Sequence, residues 1–492
     1  MHMRIKRYIS LLIMMILLVM NTEAMDTSAN AATVLSSKIK QVAIGGEHRM
    51  VVLENGELWG WGDNLYGQIG DGTDYNVITK PKKIMDGVAT AKVSTDSTYV
   101  LKNNGELWGW GDIGARREMH TKKPVKQMDG VKGFYIGLWY VMVINDKNEL
   151  WGWGANYNGQ VGDGTLESVP KPKKIMDNVT KVYPDIRRTY AINDKGELWG
   201  WGNNKNGIIA VGRGEIVKEP IKVMDGVNDV FSSIEHVMVI KGNGELWGWG
   251  VNEHSRIGDG TKMDVLKPKK VIDEVKNAYF EKDHTFVIKT NGELWGWGRN
   301  NAGQIGAGFK KVNGIDDHVI IPIEISKPVK IMDDVVQLSI SEGLTKAIKN
   351  NGELWEWGSI GNITLEEIGD NRFFNVFIEG FVPRKVMEDV VQAAAGRDHT
   401  IAVNKRGEVF AWGSNSLGQT GSDLYPDFVA TPKKVIDGAE KIFVWGETTA
   451  VITTNGDLWS WGFNGNALVG DGTQKDVFLP KKILSINANV LK

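Results

Sequence analysis

A seven-residue phrase, usually GELWGWG, recurs nine times along this 492-residue chain and constrains its fold more than any other feature. The copies hold 17 of the 19 tryptophans and are spaced 43 to 60 residues apart. They start at Gly56, Gly105, Asn148, Gly196, Gly244, Gly292, Gly352, Gly407 and Gly456. A period near 50 residues without helical periodicity is typical of a β-repeat array. Most prominent residues should therefore belong to the scaffold.

Each repeat contains four short apolar segments, which in the first unit cover residues 41–44, 50–53, 57–62 and 80–85. Asn55-Gly56 separates the second segment from the third, and six of the nine units keep Asn-Gly there. This dipeptide is typical of a type I′ turn between antiparallel strands. The sequence therefore predicts four antiparallel strands per unit, with a tight hairpin between the second and third.

The third strand alternates large and small side chains. Trp59 and Trp61 should point to one face, while Leu58 and Gly60 point to the other. Glycine leaves a flat patch on which a neighbouring sheet can pack closely. Each indole can bury roughly 150–250 Å², a gross gain of about 4–6 kcal/mol. Stacked sheets of this kind predict an all-β fold, either a β-propeller or the open stack of a β-solenoid, and closure into a ring is favoured because it removes exposed end faces.

The repeat GxxHxxxxLxxxGELWGWGxNxxGQxGDGT is complete at residues 45–73 and partial at 396–421. It resembles the regulator of chromosome condensation repeat family across nearly all of the chain beyond its N-terminal segment. The resemblance implies a β-propeller of four-stranded antiparallel blades. Rings of that family usually have seven blades, whereas nine units are counted here. Either the ring is larger than usual or some units extend outside it, and residues 41–44 or 488–491 could supply a strand that joins the first blade to the last.

The N-terminal segment reads as a secretory signal peptide. Arg4, Lys6 and Arg7 precede an apolar run over residues 9–20, and small residues around Ala31 offer a cleavage site. We therefore expect residues 1–31 to be a signal peptide and residues 32–492 to form one repeat array, secreted or at the cell surface. An uncleaved anchor is the weaker alternative, because the run is shorter than the roughly 20 residues a membrane span needs. The chain has no cysteine, so its core alone must stabilise it.

Three recurrent motifs are interpreted as scaffold rather than as metal, cofactor or catalytic sites. His48, His236, His284 and His399 occupy one column of the repeat, so a ring would spread them apart instead of converging them on an ion. The four GDGT segments, at 70–73, 162–165, 258–261 and 470–473, lack the oxygen density of a calcium loop and are interpreted as tight turns. The Lys-Pro-Lys-Lys runs, such as 80–83, are typical of solvated edge strands.

The repeats differ most in the loop that precedes the second strand, where a partner could be recognised. Both tryptophans outside the repeated phrase lie there, and aromatic and arginine side chains dominate binding hot spots. Two longer units have extra residues at 307–326 and 360–383, and the second of these segments brings Phe373, Phe374 and Phe377. The candidate interaction face consists of Trp139, Tyr140, Arg187, Arg188, Trp445, Phe373, Phe374 and Phe377. The alternative is that these side chains fill local gaps in irregular blades.

The sequence contains no nucleophile elbow, zinc-protease helix, phosphate-binding loop or dinucleotide fingerprint. Its net charge of −2 gives no electrostatic reason to bind nucleic acid. We predict an exported, non-enzymatic β-propeller that binds an unknown protein partner, without cofactor or metal. Alternatives are a cell-surface protein that binds or acts on polysaccharide through Trp139 and Trp445, a passive component of the cell envelope, and a guanine-nucleotide-exchange-like regulator, which suits an exported chain poorly.

Overall fold

The computed structural model describes residues 37–113, 120–212, 214–308, 310–311, 320–321, 324–341, 343–358, 367–368, 372–373, 381–423 and 427–485. The fold is all-β, and nine four-stranded antiparallel blades form a nine-bladed propeller. This confirms the propeller prediction over the solenoid. All nine repeat units are blades of the ring, so none extends outside it.

The strands of each blade follow one another in the sheet in chain order or its reverse. They are Ile39–Ile44, His48–Leu53, Leu58–Asn64 and Asn76–Met85 in blade 1; Val88–Val93, Ser97–Lys102, Leu107–Asp112 and His120–Met128 in blade 2; Val131–Ile136, Tyr140–Asn145, Leu150–Gly154 and Val169–Met176 in blade 3; Val179–Pro184, Arg188–Asn193, Leu198–Asn203 and Ile216–Met224 in blade 4; Val227–Ser232, His236–Lys241, Leu246–Gly250 and Val265–Ile272 in blade 5; Val275–Phe280, His284–Lys289, Leu294–Gly298 and Ile325–Met332 in blade 6; Val335–Ile340, Leu344–Lys349, Leu354–Gly358 and Arg384–Met387 in blade 7; Val390–Ala395, His399–Asn404, Val409–Ser414 and Phe428–Ile436 in blade 8; and Ala439–Trp445, Thr448–Thr453, Leu458–Gly462 and Val477–Leu484 in blade 9. Two short ribbons, Lys310–Lys311 with Ile320–Ile321 and Glu367–Ile368 with Arg372–Phe373, lie in the long loops of blades 6 and 7.

The hairpin between the second and third strands is present, but its turn type differs from the prediction. Gly56 has a φ of 84°, whereas Asn55 is not among the residues with positive φ. The Gly56 amide donates to the carbonyl of Leu53, and the Leu53 amide donates to the carbonyl of Glu57. This is a type I turn followed by a left-handed glycine, a three-residue loop. The Asn55 side chain accepts from the Glu57 amide and orders the turn, so no left-handed asparagine is required.

The first strand of each blade lies at the centre of the ring, and the fourth is the exposed outer edge. First strands of neighbouring blades contact each other directly. In blade 1, for example, the Gln41 side chain donates to the carbonyl of Ala91 in blade 2 and accepts from its amide. The fourth strands carry the Lys-Pro-Lys-Lys runs and are largely exposed. Lysine and proline protect such an edge from pairing with other chains.

The ring closes through a contact that also joins most other pairs of blades, in which an indole N–H donates to a main-chain carbonyl of the preceding blade. Trp110 Nε1 in blade 2 donates to the Gln68 carbonyl of blade 1 at 3.0 Å, and Trp61 Nε1 in blade 1 donates to the Leu468 carbonyl of blade 9 at 3.1 Å. Each described blade takes its strands from one continuous segment, so no shared strand staples the ends. Residues 41–44 pair within blade 1, and residues 488–491 lie outside the described residues.

Indole rings pack against bare backbone between blades, although not against the glycine that the sequence suggested. The Trp110 ring covers Gly70 of the preceding blade, where a Cβ would lie 2.5 Å from Nε1. The strand glycine has another use. A Cβ on Gly60 would lie 2.6 Å from the sulfur of Met50, its cross-strand partner in the same blade. The strand glycine therefore makes room for a large side chain of its own blade.

Candidate functional site

One face of the ring carries nearly all the sequence variation in its loops. Because the strands alternate in direction, the loops between first and second strands and those between third and fourth strands emerge on the same face, which we call the loop face. The opposite face carries only the tight hairpins and the short connections between blades. The two longest loops, after Gly298 in blade 6 and after Gly358 in blade 7, also belong to the loop face.

The four column histidines at the base of this face are structural. His48, His236, His284 and His399 are all buried. His48 Nε2 lies 2.9 Å from Thr98 Oγ1 in the next blade, and His399 contacts Thr449 in the same way. Burial lowers the pKa of His48 to about 3, so its imidazole is neutral at physiological pH. Among the described residues, no group of three or more His, Cys, Asp or Glu side chains is placed to hold a metal ion.

The GDGT segments are tight turns, as predicted. In the first, Asp71 Oδ1 accepts from both the amide and the hydroxyl of Thr73. Its other oxygen pairs with Lys82 of the outer strand at 2.7 Å. Asn64 donates to the Thr73 carbonyl and anchors the turn to the third strand. Both oxygens of the Asp71 carboxylate are thus bound by groups of the same blade.

Tyr140 and Arg188 are buried, which corrects the expectation that they form an exposed face. Tyr140 stands in the histidine column, and its hydroxyl donates to the Arg188 carbonyl at 2.6 Å and contacts Thr189 Oγ1. Arg188 pairs with Asp185 at 2.9 Å and donates to the Ile234 carbonyl of blade 5. Both side chains join neighbouring blades, because a large polar group can span the same gap as a histidine.

Trp445 is also buried, with 6% of its surface exposed, because it fills the contact between blades 9 and 1. Phe373 ends the short ribbon of the blade 7 loop, and Phe374 and Phe377 lie outside the described residues. Trp445 therefore does not form an exposed patch with Trp139.

Trp139 and Arg187 are the two candidates that the structure leaves exposed on the loop face. They occupy the same position in the loops of blades 3 and 4, directly before the second strand. Trp139 is 43% exposed and has a φ of 61°. Its carbonyl accepts from the Ala155 amide, which fixes the loop, while the indole projects away from the core. In blades 1, 2, 4, 5, 6, 8 and 9 the residue at this position is not among those with positive φ.

Sequence reasoning missed several exposed apolar residues on the same face. Tyr75 is 68% exposed, with its ring edge against His120 of blade 2. Leu65 and Tyr157 are exposed at the equivalent position in blades 1 and 3, directly after the buried asparagine that anchors each turn. Comparing the repeats at the position after this asparagine would have found them, since Lys205 and Glu253 show that polar residues are accepted there.

The closed ring and the single loop-rich face define a β-propeller whose binding surface would be made of loops. Comparison with protein families then identifies its repeats. Two models, both described as "Regulator of chromosome condensation (RCC1) repeat", match residues 39–68, 282–304 and 390–419 and residues 55–97 and 147–183, respectively. The chain thus carries regulator of chromosome condensation repeats, as the resemblance of its motifs predicted.

Curated relatives match only short stretches. "Protein RCC2" of Homo sapiens is 35% identical over 97 residues, 19% of this chain and 18% of that protein. "Guanine nucleotide exchange factor SRM1" of Saccharomyces cerevisiae is 29% identical over 109 residues, 22% and 23% of the two chains. The matches therefore span less than a quarter of these relatives.

Two solved structures align with this chain over a longer range. Yeast RCC1 (Prp20) bound to Kap60 is 15% identical with a TM-score of 0.44, covering 94% of this chain and 90% of that one. Human WBSCR16 is 20% identical with a TM-score of 0.43, covering 68% and 94%. Because both TM-scores are below 0.5, neither similarity carries a conclusion about this chain. Separately, the described part of the chain contains no helix long and apolar enough to cross a membrane.

Proposed function

We propose that this protein is an exported, non-enzymatic β-propeller that binds a protein partner through its loop face, with Trp139 at the centre of the contact. The proposal places the protein outside the cell or on its surface, after removal of residues 1–31. The observation that carries it is the exposure of Trp139 in a left-handed backbone conformation.

Trp139 differs from the scaffold tryptophans in what it contributes to the fold. The second tryptophan of a repeated phrase, such as Trp201, is fully buried and donates to a carbonyl of the preceding blade. The exposed indole of Trp139 leaves a large apolar surface in water. A non-glycine residue with positive φ costs roughly 1–2 kcal/mol. Strained residues of this kind concentrate at functional sites, and tryptophan is enriched in binding hot spots.

Neighbouring residues on the loop face suit a protein ligand. Arg187, in the same loop of blade 4, is exposed, and its amide donates to Asp185 Oδ1, which fixes the loop backbone. Tyr157 follows the third strand of blade 3, and its hydroxyl lies 2.8 Å from Ser168 Oγ. Tryptophan, tyrosine and arginine on a rigid base provide contact area at low entropic cost.

The alternatives are less well supported. A polysaccharide site that uses Trp139 and Trp445 as two sugar platforms is incompatible with the burial of Trp445. An exchange activity like that named for the yeast relative would rest on a match to 23% of that protein. It would also require an intracellular GTPase, which an exported chain would not meet.

The test is capture followed by affinity measurement. Purified residues 32–492 are used to capture proteins from culture medium, envelope and host extracts, and each captured protein is then measured by biolayer interferometry. Alanine substitution of Trp139 together with Arg187 should weaken binding at least tenfold, the loss expected for a hot-spot residue worth about 1.4 kcal/mol or more.

The matched control removes exposed apolar side chains from the outer edge of the ring, with Val125→Ala and Leu479→Ala. These substitutions should leave affinity unchanged, and all variants should keep the wild-type melting temperature. Equal affinity of the Trp139/Arg187 variant and the wild type for every captured protein would refute the proposed face. Mass spectrometry of the secreted protein would test cleavage after Ala31 independently.

A further inference from the structure

The contact between blades 9 and 1, which we call the seam, differs chemically from the other contacts between blades. At most other contacts a neutral side chain in the histidine column meets a neutral residue of the next blade, as in His48 with Thr98, Tyr140 with Thr189 and His399 with Thr449. The buried cation of this column, Arg188 in blade 4, has a counter-charge in Asp185. At the seam the two positions are occupied by Thr448 and Arg49. A small residue replaces the large one and a large cation replaces the small one.

Arg49 is a buried cation without a counter-charge. Only 4% of its surface is exposed. Its Nη1 donates to the carbonyls of Gly45 at 2.8 Å and His48 at 3.1 Å, whereas its Nη2 is buried and has no hydrogen-bond partner. No ion pair involves Arg49 within the part of the chain that the structure describes. Burial lowers the pKa of its guanidinium to about 9, so the group stays charged at neutral pH.

A cavity of about 20 Å³ lies beside Arg49. Its walls include the aromatic side chains of Trp61, Phe443 and Trp445 and the hydroxyls of Thr449 and Ser460, and most of the remaining lining is aliphatic. The hydroxyls of Thr449 and Ser460 donate to main-chain carbonyls. No carboxylate lines the cavity, and its volume admits one water molecule or one monatomic ion.

We propose that the seam cavity binds a monatomic anion, chloride under physiological conditions, through Arg49 Nη2. A bare guanidinium in an apolar cavity is costly unless an opposite charge or a full set of hydrogen bonds compensates it. A water molecule would accept one hydrogen bond but leave the charge uncompensated. A halide supplies both the acceptor and the charge, and the aromatic walls of the cavity exclude larger, strongly hydrated anions.

Anion binding would stabilise the ring where the two ends of the repeat array meet. No covalent bond or shared strand joins blades 9 and 1 in the described structure. A ligand that binds only the closed ring stabilises it in proportion to the logarithm of its concentration relative to the dissociation constant. Ring stability should therefore depend on halide, and this dependence is separate from the proposed function of the loop face.

The experiment combines bromide crystallography with a melting comparison on the full chain. Crystals grown in sodium bromide should show an anomalous peak within hydrogen-bonding distance of Arg49 Nη2. In solution, replacing gluconate by chloride at constant ionic strength should raise the melting temperature saturably, by about 1–2 °C for a ring of this size. Arg49→Thr, which installs the residue found in six other blades at this position, should abolish that rise.

The control variant Arg397→Thr removes an exposed arginine and should keep the full chloride effect. A water molecule in place of the anomalous peak, or an unchanged chloride effect in Arg49→Thr, would overturn the proposal. If Arg49→Thr does not fold, the bromide crystals of the wild-type protein test the proposal on their own. A bromide peak at Nη2 then supports the site, and its absence rejects it.

Discussion

Blade 7 contains two buried charges in place of the methionine and glycine of blades 1, 3 and 5, and they allow a sharp test of how neighbouring blades are held. Lys346 and Glu356 are cross-strand partners, in the positions that Met50 and Gly60 occupy in blade 1. Both are about 1% exposed. Glu356 accepts from Arg384 at 2.8 Å and from Trp412 Nε1 of blade 8 at 3.0 Å. Lys346 Nζ has no hydrogen-bond partner, so the Glu356 charge is what compensates it.

Glu356→Gly restores the commonest sequence of the repeat, yet we expect it to destabilise the protein. It leaves the Lys346 charge buried and Trp412 Nε1 without an acceptor. Removing one partner of a buried pair costs about 3–5 kcal/mol. Burial lowers the pKa of Lys346 from 10.5 to about 8 although the Glu356 charge raises it, so stability gains from this group as pH rises from about 8 to 10.5. Without Glu356 the pKa of Lys346 should fall further, and the buried amine of the variant becomes neutral at a lower pH than that of the wild type. The loss caused by Glu356→Gly should therefore be smaller at pH 9 than at pH 7.

The double variant Glu356→Gly with Lys346→Met should recover most of that stability, because it recreates the methionine and glycine pair of blades 1, 3 and 5. We expect the double variant to lie within about 2 kcal/mol of the wild type, a coupling of at least about 1–3 kcal/mol. Urea unfolding followed by both fluorescence and circular dichroism measures each corner of the cycle. Additive effects of the two substitutions would refute the reasoning.

Three further predictions concern the scaffold. Trp201→Ala should lower the free energy of unfolding by about 3–5 kcal/mol, because this indole is fully buried. Trp199 is only half-buried, so Trp199→Ala should cost clearly less, and equal losses in urea unfolding would contradict the assigned burial. Because burial lowers the pKa of His48 to about 3, stability should fall as pH drops below 6.5, by about 2 kcal/mol per such histidine at pH 5, and His48→Ser should reduce the measured pH slope. Ala210 has a φ of 63° at a position where other blades have glycine. Ala210→Gly should therefore raise the free energy of unfolding by about 0.5–1 kcal/mol, and a lower urea midpoint would count against strain at this site.

Parts of the candidate site were predictable from the sequence and parts were not. Trp139 and Arg187 lie in the loops before second strands, as the column alignment predicted, whereas Tyr140 and Arg188 are the first residues of those strands. The alignment could not distinguish exposed from buried members, because adjacent residues there point in opposite directions. One points into the gap between blades, where Tyr140 and Arg188 replace a histidine, and the other points to solvent.

Local order in this protein was determined by the sequence, because turn residues, alternation and repeated tryptophans act over a few residues and are copied nine times. They predicted four strands per unit, tight GDGT turns and indoles wedged against glycine. Only the tertiary structure decided that nine blades close one ring, because closure depends on the angle summed over all contacts between blades. It also decided which glycine meets each indole and which loop side chains reach solvent, since both depend on the neighbouring blade, which lies about 50 residues away in the chain.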